Sequence, residues 1–395
     1  MRARGGGRYA LVGAFVLTAL ATLSSPAWAA TITILNLDSS GEGLNDPSTR
    51  DTVGGNTGTT LGEQRLLVIE EAAKRWGARL SSDVEITIGV DFSPLECSAL
   101  QAVLGSAGPE VTASNFSGAP RADTIYSVAL ANSLAGLDLC PESSCPTYWD
   151  IGATFNSSLD DNEDCLAWTS WYYGFDGNDS GGGNVHFDVD LLSVALHEFG
   201  HGLGFLSYVN LADGSKLAGL DDAYMVLLED HSSGLTFPDM SDSERLVAMT
   251  DTGDLHWTGL AVRSEADSLS AGLDPSEHVE MYAPYPSEPG SSVSHFSTTL
   301  APDQLMEPVA TDQHGLDMTA ALLGDTGWTT VECGDYDGSG SILAADALSV
   351  LKGAVGLIEC VISVCDASAD GSLTAADALL VLKAAVGLTG DLDCG

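Results

Sequence analysis

The stretch Leu196-His197-Glu198-Phe199-Gly200-His201-Gly202-Leu203-Gly204-Phe205 constrains this chain more than any other. Histidines four residues apart share one face of a helix, so both imidazoles can grip one Zn²⁺. The glutamate between them projects beside the metal, where it can take a proton from bound water. Ahead of the motif, Leu191, Leu192, Val194, Ala195 and Leu196 supply an apolar helix. Asp188 and Asp190 stand near its start, where acidic groups suit the helix dipole. Gly202 and Gly204 soften the helix just after the second histidine. Zinc brings the pKa of its water towards neutrality, so the motif predicts a zinc peptidase with Glu198 as general base.

Residues 1–29 read as a signal peptide. Arg2, Arg4 and Arg8 precede an apolar run from Tyr9 to Leu23, and Ala27-Trp28-Ala29 forms a small-residue cleavage box. No later segment is long and apolar enough to span a bilayer, which predicts a secreted, extracellular protein. Without the three arginines, 11 basic side chains face 56 acidic ones, a balance that repels nucleic acid and anionic membranes. Eight cysteines (97, 140, 145, 165, 333, 360, 365 and 394) in an exported chain favour disulfides, four in each of two regions. A lone Cys97 serving as an inhibitory zinc ligand is the alternative.

The expected organisation is a zinc peptidase domain over residues 30–330 and a small calcium-binding module over 331–395. Thr31 to Leu37 and Val84 to Val90 alternate as strands, and Leu66, Ile69, Ala73 and Trp76 mark a helix from Gly62 to Leu80. Asp150 to Asn156 reads as a further strand. This order predicts an α/β (α+β) fold whose twisted sheet covers the zinc helix. Gly152 to Asn156 is the expected sheet edge for an extended peptide substrate. Residues 208–330 read as irregular, except for a helix from Met318 to Leu323 ending at Gly324.

A catalytic zinc usually takes three protein ligands and leaves a fourth position for water. The compact pattern H-E-x-x-H-x-x-G-x-x-H would put the third histidine at 207, which is Ser207. The downstream candidates are His231, His256, His278, His295 and His314. Around one of them, Ser292-Val293-Ser294-His295-Phe296 is followed by Leu305-Met306-Glu307-Pro308 and then Gly324-Asp325-Thr326-Gly327-Trp328. Over residues 188–208 and 290–328 the chain resembles leishmanolysin-type metzincin peptidases. In that family an insertion separates the helix motif from its third histidine, and a Leu-Met-x-Pro turn follows. The resemblance implies zinc ligands His197, His201 and His295, with Met306 in the turn beneath the metal. His256 and His314 are next in line for the third place. The chain shows neither a long pro-segment nor a membrane-anchor signal, so the family's latency and surface attachment do not carry over.

Two acidic loops close the sequence. Asp335, Asp337, Ser339, Ser341 and Asp346 occupy positions 1, 3, 5, 7 and 12 of the first, and Asp366, Ser368, Asp370, Ser372 and Asp377 match them in the second. Oxygen donors at those positions, the seventh through its backbone carbonyl, suit Ca²⁺. Each loop runs into an amphipathic Ala-Leu-x-Val-Leu-Lys helix. With aspartate at position 12 and one helix per loop, residues 333–394 resemble a type I dockerin module. That implies two Ca²⁺ ions and a cohesin-like scaffold partner. Alanines fill the recognition pairs, Ala344-Ala345 and Ala375-Ala376, so a calcium-stabilised appendage stays open as the alternative. A non-catalytic binding protein and a hydrolase of non-peptide bonds are the competing functions, and Glu198 argues for the enzyme because a purely structural zinc needs no base.

Overall fold

Four strands form the main sheet: β1 (Ile32–Asn36), β2 (Ile86–Ser93), β3 (Gly105–Pro109) and β4 (Ile151–Asn156), in the order β1-β2-β4-β3. This is a computed structural model that describes residues 29–141, 145, 147–161, 164–167, 169–177, 188–388 and 392–394. The expected signal peptide lies outside the described residues, apart from Ala29. β1, β2 and β4 are parallel, with Ile34 opposite Ile88 and Val90 opposite Ala153; β3 runs antiparallel to β4. Such β-branched and apolar runs suit strands covered by helices. The expected substrate edge, Gly152 to Asn156, is therefore interior: β4 is hydrogen-bonded on both sides, and among the described residues β3 is the outer strand on that side.

Two helices cover this sheet. α1 (Leu61–Arg79) starts with a capping box in which Thr60 Oγ1 accepts from Glu63 N (3.2 Å) and Glu63 accepts from Thr60 N (3.1 Å). α2 (Leu191–Leu203) carries the histidine motif. Trp76 on α1 is fully buried, and its Nε1 donates to the Leu196 carbonyl on α2 at 2.9 Å. Truncating a tryptophan packed in this way costs about 3–5 kcal/mol, which makes it a main tie between the two helices.

Residues 208–330 hold more order than expected. A second sheet, antiparallel throughout, is built from β5 (Leu228–Asp230), β6 (Leu235–Thr236), β7 (Leu255–Trp257) and β8 (Val279–Glu280), in the order β6-β5-β7-β8. Strands of two or three residues leave no alternation long enough to be read from sequence. α3 (Asp317–Thr326) runs two residues past Gly324 and stops at Gly327, whose φ of 127° is cheap only for glycine. Together these elements make a mixed α and β chain.

Beyond Trp328 a separate apolar cluster begins with Val331, Val350, Val364 and Val381. It is formed by α4 (Ala344–Ala354), α5 (Ile362–Cys365) and α6 (Ala375–Ala385). It rests on α1: Ser363 Oγ donates to the Arg75 carbonyl (3.1 Å), and Arg79 Nη1 donates to the Ser363 carbonyl (3.0 Å). The cysteines pair as 97–165, 140–145, 333–394 and 360–365, two disulfides in each region. Cys97 is thus a disulfide partner rather than a free metal ligand. No helix among the described residues is long and apolar enough to cross a membrane.

Candidate metal centre

The start of α2 is held by Asp190, which accepts from Ser193 N (2.9 Å) and also meets His314 Nε2 at 3.1 Å. His186 and Phe187, ahead of it, lie outside the described residues. Small residues let the helix settle into place. A Cβ on Gly202 would lie 2.2 Å from Ile151 Cγ2, and one on Gly200 would lie 2.8 Å from Met306 Sδ. Gly204 ends the helix at φ 118°, turning the chain so that the Phe205 carbonyl comes back to His201 Nδ1 at 2.8 Å.

The structure brings three histidines from two distant segments to one point. The Nε2 atoms of His197, His201 and His295 lie 3.1–3.2 Å from one another. Each ring gives its other nitrogen to a backbone carbonyl: His197 Nδ1 to Leu305 (2.7 Å), His201 Nδ1 to Phe205 (2.8 Å) and His295 Nδ1 to Ser291 (2.8 Å). An N–H is required at every Nδ1, which leaves three Nε2 lone pairs directed inward. Burial lowers His197 to about 4 and His201 to about 3, and takes His295 well below the usual histidine range. All three are therefore neutral at ordinary pH, and the set could hold a metal ion.

His295 sits in a loop pinned from several sides. Its carbonyl accepts from Tyr282 N (2.9 Å), and Phe296 N donates to the Met306 carbonyl (2.9 Å). Val293 takes φ 73°, a conformation that strains a β-branched residue by about 1–3 kcal/mol. Met306 is fully buried under Gly200 and makes the floor, while its neighbour Leu305 orients His197.

Glu198 lies beside the triad and is nearly fully buried. Burial raises its carboxyl to about 8, against the opposing effect of a hydrogen bond from the Ala107 backbone. That contact puts β3 next to the motif glutamate, with Gly105 close enough for a Cβ there to reach within 2.8 Å of Glu198 Cγ. Both line a cleft of about 1030 Å³ together with the three histidines and Glu307. Burial raises the Glu307 carboxyl to about 7. The sequence reading missed β3 and Glu307. Gly-Ser-Ala-Gly-Pro has no strand propensity to betray it, and Glu307 stood only as the variable place in the turn.

The other downstream histidines go elsewhere. His314 pairs with Asp190, while His231, His256 and His278 gather on the second sheet. In the first acidic loop, carboxylate oxygens of Asp335, Asp337 and Asp346 come within 4.8 Å of one another, a second group that could hold a metal ion. Burial raises Asp346 above the ordinary range, and repulsion from Asp337 and Asp335 adds to this. Ser339 Oγ reaches Asp335 at 3.4 Å and the Ser341 carbonyl at 3.2 Å. In the second loop Ser368 Oγ meets Asp366 (3.2 Å), Ser368 N meets Asp377 (3.2 Å) and Ser372 N meets Asp370 (2.9 Å), but the carboxylates of Asp366, Asp370 and Asp377 do not converge as those of the first loop do. A scan against protein-family models and searches among curated proteins and solved structures find no match to this chain.

Proposed function

We propose that this chain is a secreted zinc-dependent endopeptidase, similar to leishmanolysin-type metzincins, with a calcium-binding dockerin-like tail. The observation that carries the reading is the meeting of His197, His201 and His295 beside Glu198 and the outer strand β3. A tetrahedral zinc with Zn–N bonds of about 2.0–2.1 Å needs ligand atoms about 3.3 Å apart. The observed 3.1–3.2 Å fits that need. Three neutral nitrogens also leave a fourth position for water, as a catalytic site requires.

When bound, zinc supplies Lewis acidity, acidifying water and polarising a carbonyl oxygen. The rest falls to the protein. An extended peptide adds to β3 through main-chain hydrogen bonds, which sets the scissile carbonyl next to Glu198. The Glu198 carboxylate takes the proton of the attacking water and returns it to the departing amine. Its buried place beside the triad lets it hold that proton away from bulk water between the two halves of the exchange. The Nδ1 hydrogen bonds hold the three rings rigid throughout.

For the tail, two acidic loops with donors at the calcium positions support two Ca²⁺ ions. Leu348, Leu351, Leu379 and Leu382 stand exposed on α4 and α6, an apolar face consistent with a cohesin-like partner. The peptidase reading is tested by incubating the chain with a mixed peptide library. Cleavage should vanish with 1,10-phenanthroline and return with zinc; cleavage indifferent to the chelator would overturn it.

A further inference from the structure

One face of the second sheet collects five metal-binding side chains outside the cleft. Register sets Glu229 opposite His256, and His256 opposite Glu280. His231 and His278 lie two residues from Glu229 and Glu280, so strand alternation puts them on that same face. His231 N donates to the Asp254 carbonyl at 2.8 Å, carrying the pairing one residue beyond β5.

We propose that Glu229, His231 and His278 form a second metal site, taking a divalent transition ion of the zinc class. His278 Nδ1 lies 3.3 Å from His231 Nε2, and Glu229 Oε1 lies 3.8 Å from that same nitrogen. The three ligand atoms all fall within 4.8 Å of one another. His231 Nδ1 faces Asp274 Oδ2 at 3.3 Å, which favours an N–H there and leaves Nε2 bare towards the cluster. Asp274 is itself fixed, accepting from Ser276 N (2.8 Å) and His278 N (2.7 Å). His256 stacks on His231 at 4.0 Å and 12°, holding the ring's plane. Two imidazoles and one carboxylate suit zinc, nickel, copper or iron better than calcium or magnesium. His231 and Glu229 are 19% and 30% exposed, so an ion and its waters can enter.

The site would tie β5 to the turn before β8 across the intervening β7. That turn leads through Glu280 to Met281, which bridges Phe296, and to Tyr282, which bonds the His295 carbonyl. An ion here therefore braces the segment against which the third cleft histidine is set. The proposal does not rest on the peptidase reading.

Zinc-loaded full chain, dialysed against calcium buffer so that the acidic loops are filled, tests it by metal analysis and zinc-edge anomalous scattering. Two zinc equivalents are expected, with one anomalous peak between Glu229, His231 and His278. His231→Ala/His278→Ala should hold one equivalent, and His197→Ala/His201→Ala should keep the peak on the second sheet. If the first double variant does not fold, Glu229→Gln should weaken the second zinc at least about tenfold. Absence of the peak from wild-type crystals, or an undiminished second equivalent in Glu229→Gln, would overturn the site.

Discussion

Replacing Gly105 with alanine should impair catalysis while leaving the fold and the metal alone. The new Cβ would lie 2.8 Å from Glu198 Cγ and 2.9 Å from its Oε1, where carbon contacts normally sit at about 3.5–4.0 Å. Glu198 would have to withdraw by about 0.7–1.2 Å. Misplacing a catalytic group by about 1 Å costs up to about 100-fold, so kcat should fall about 10- to 100-fold, or about 1.4–2.7 kcal/mol of barrier. Gly105 does not hold a positive φ, so the backbone accepts alanine, and no histidine is touched. Gly108→Ala is the control, because nothing lies within 4 Å of a Cβ at that position on the same strand. The assay is kcat on a cleaved library peptide, with zinc content and melting temperature measured alongside. A kcat within twofold of wild type, or equal loss in Gly108→Ala, would refute the placement of Glu198 against this strand.

Three further outcomes follow from the geometry. His295→Ala should lower zinc affinity at the cleft by more than about 100-fold by equilibrium dialysis, and unchanged affinity would refute His295 as the third ligand. Burial raises Asp222 from 3.8 to about 6 although it accepts from Tyr208, Tyr224 and Met225 N–H groups. The folded carboxyl thus holds its proton more tightly than the unfolded one, so it favours folding below about pH 4 and ceases to above about pH 6. In urea unfolding, the stability gap between wild type and Asp222→Asn should shrink by up to about 3 kcal/mol from pH 4 to 7; a constant gap would contradict the shift. Calcium at 100 times its Kd should stabilise the C-terminal cluster by about 2.7 kcal/mol per site. Excess EGTA should therefore speed amide exchange in α4 and α6 but not in α2, and uniform exchange would count against the loops as calcium sites.

The parts of this structure that sequence reveals are those with a long period or a fixed spacing. The nineteen residues of α1 show their apolar face, β1, β2 and β4 show their branched side chains, and His197 with His201 share a face by helical geometry alone. His295 was reachable only through the flanking turn motif, since ninety-four residues separate it from His201. The edge strand was misplaced for a physical reason. β4 has the better strand composition because it is central, whereas β3 is built from small residues that leave room for Glu198. The second sheet is hidden in the sequence because its pairing partners are short and far apart along the chain.

The most direct measurement is turnover by Glu198→Gln beside wild type, both assayed at equal zinc content. Glutamine keeps the shape of the side chain and removes its ability to accept the water's proton, so zinc binding should persist while cleavage falls by at least about 100-fold. A glutamine variant that binds zinc and cleaves at the wild-type rate would contradict the assignment of Glu198 as the general base.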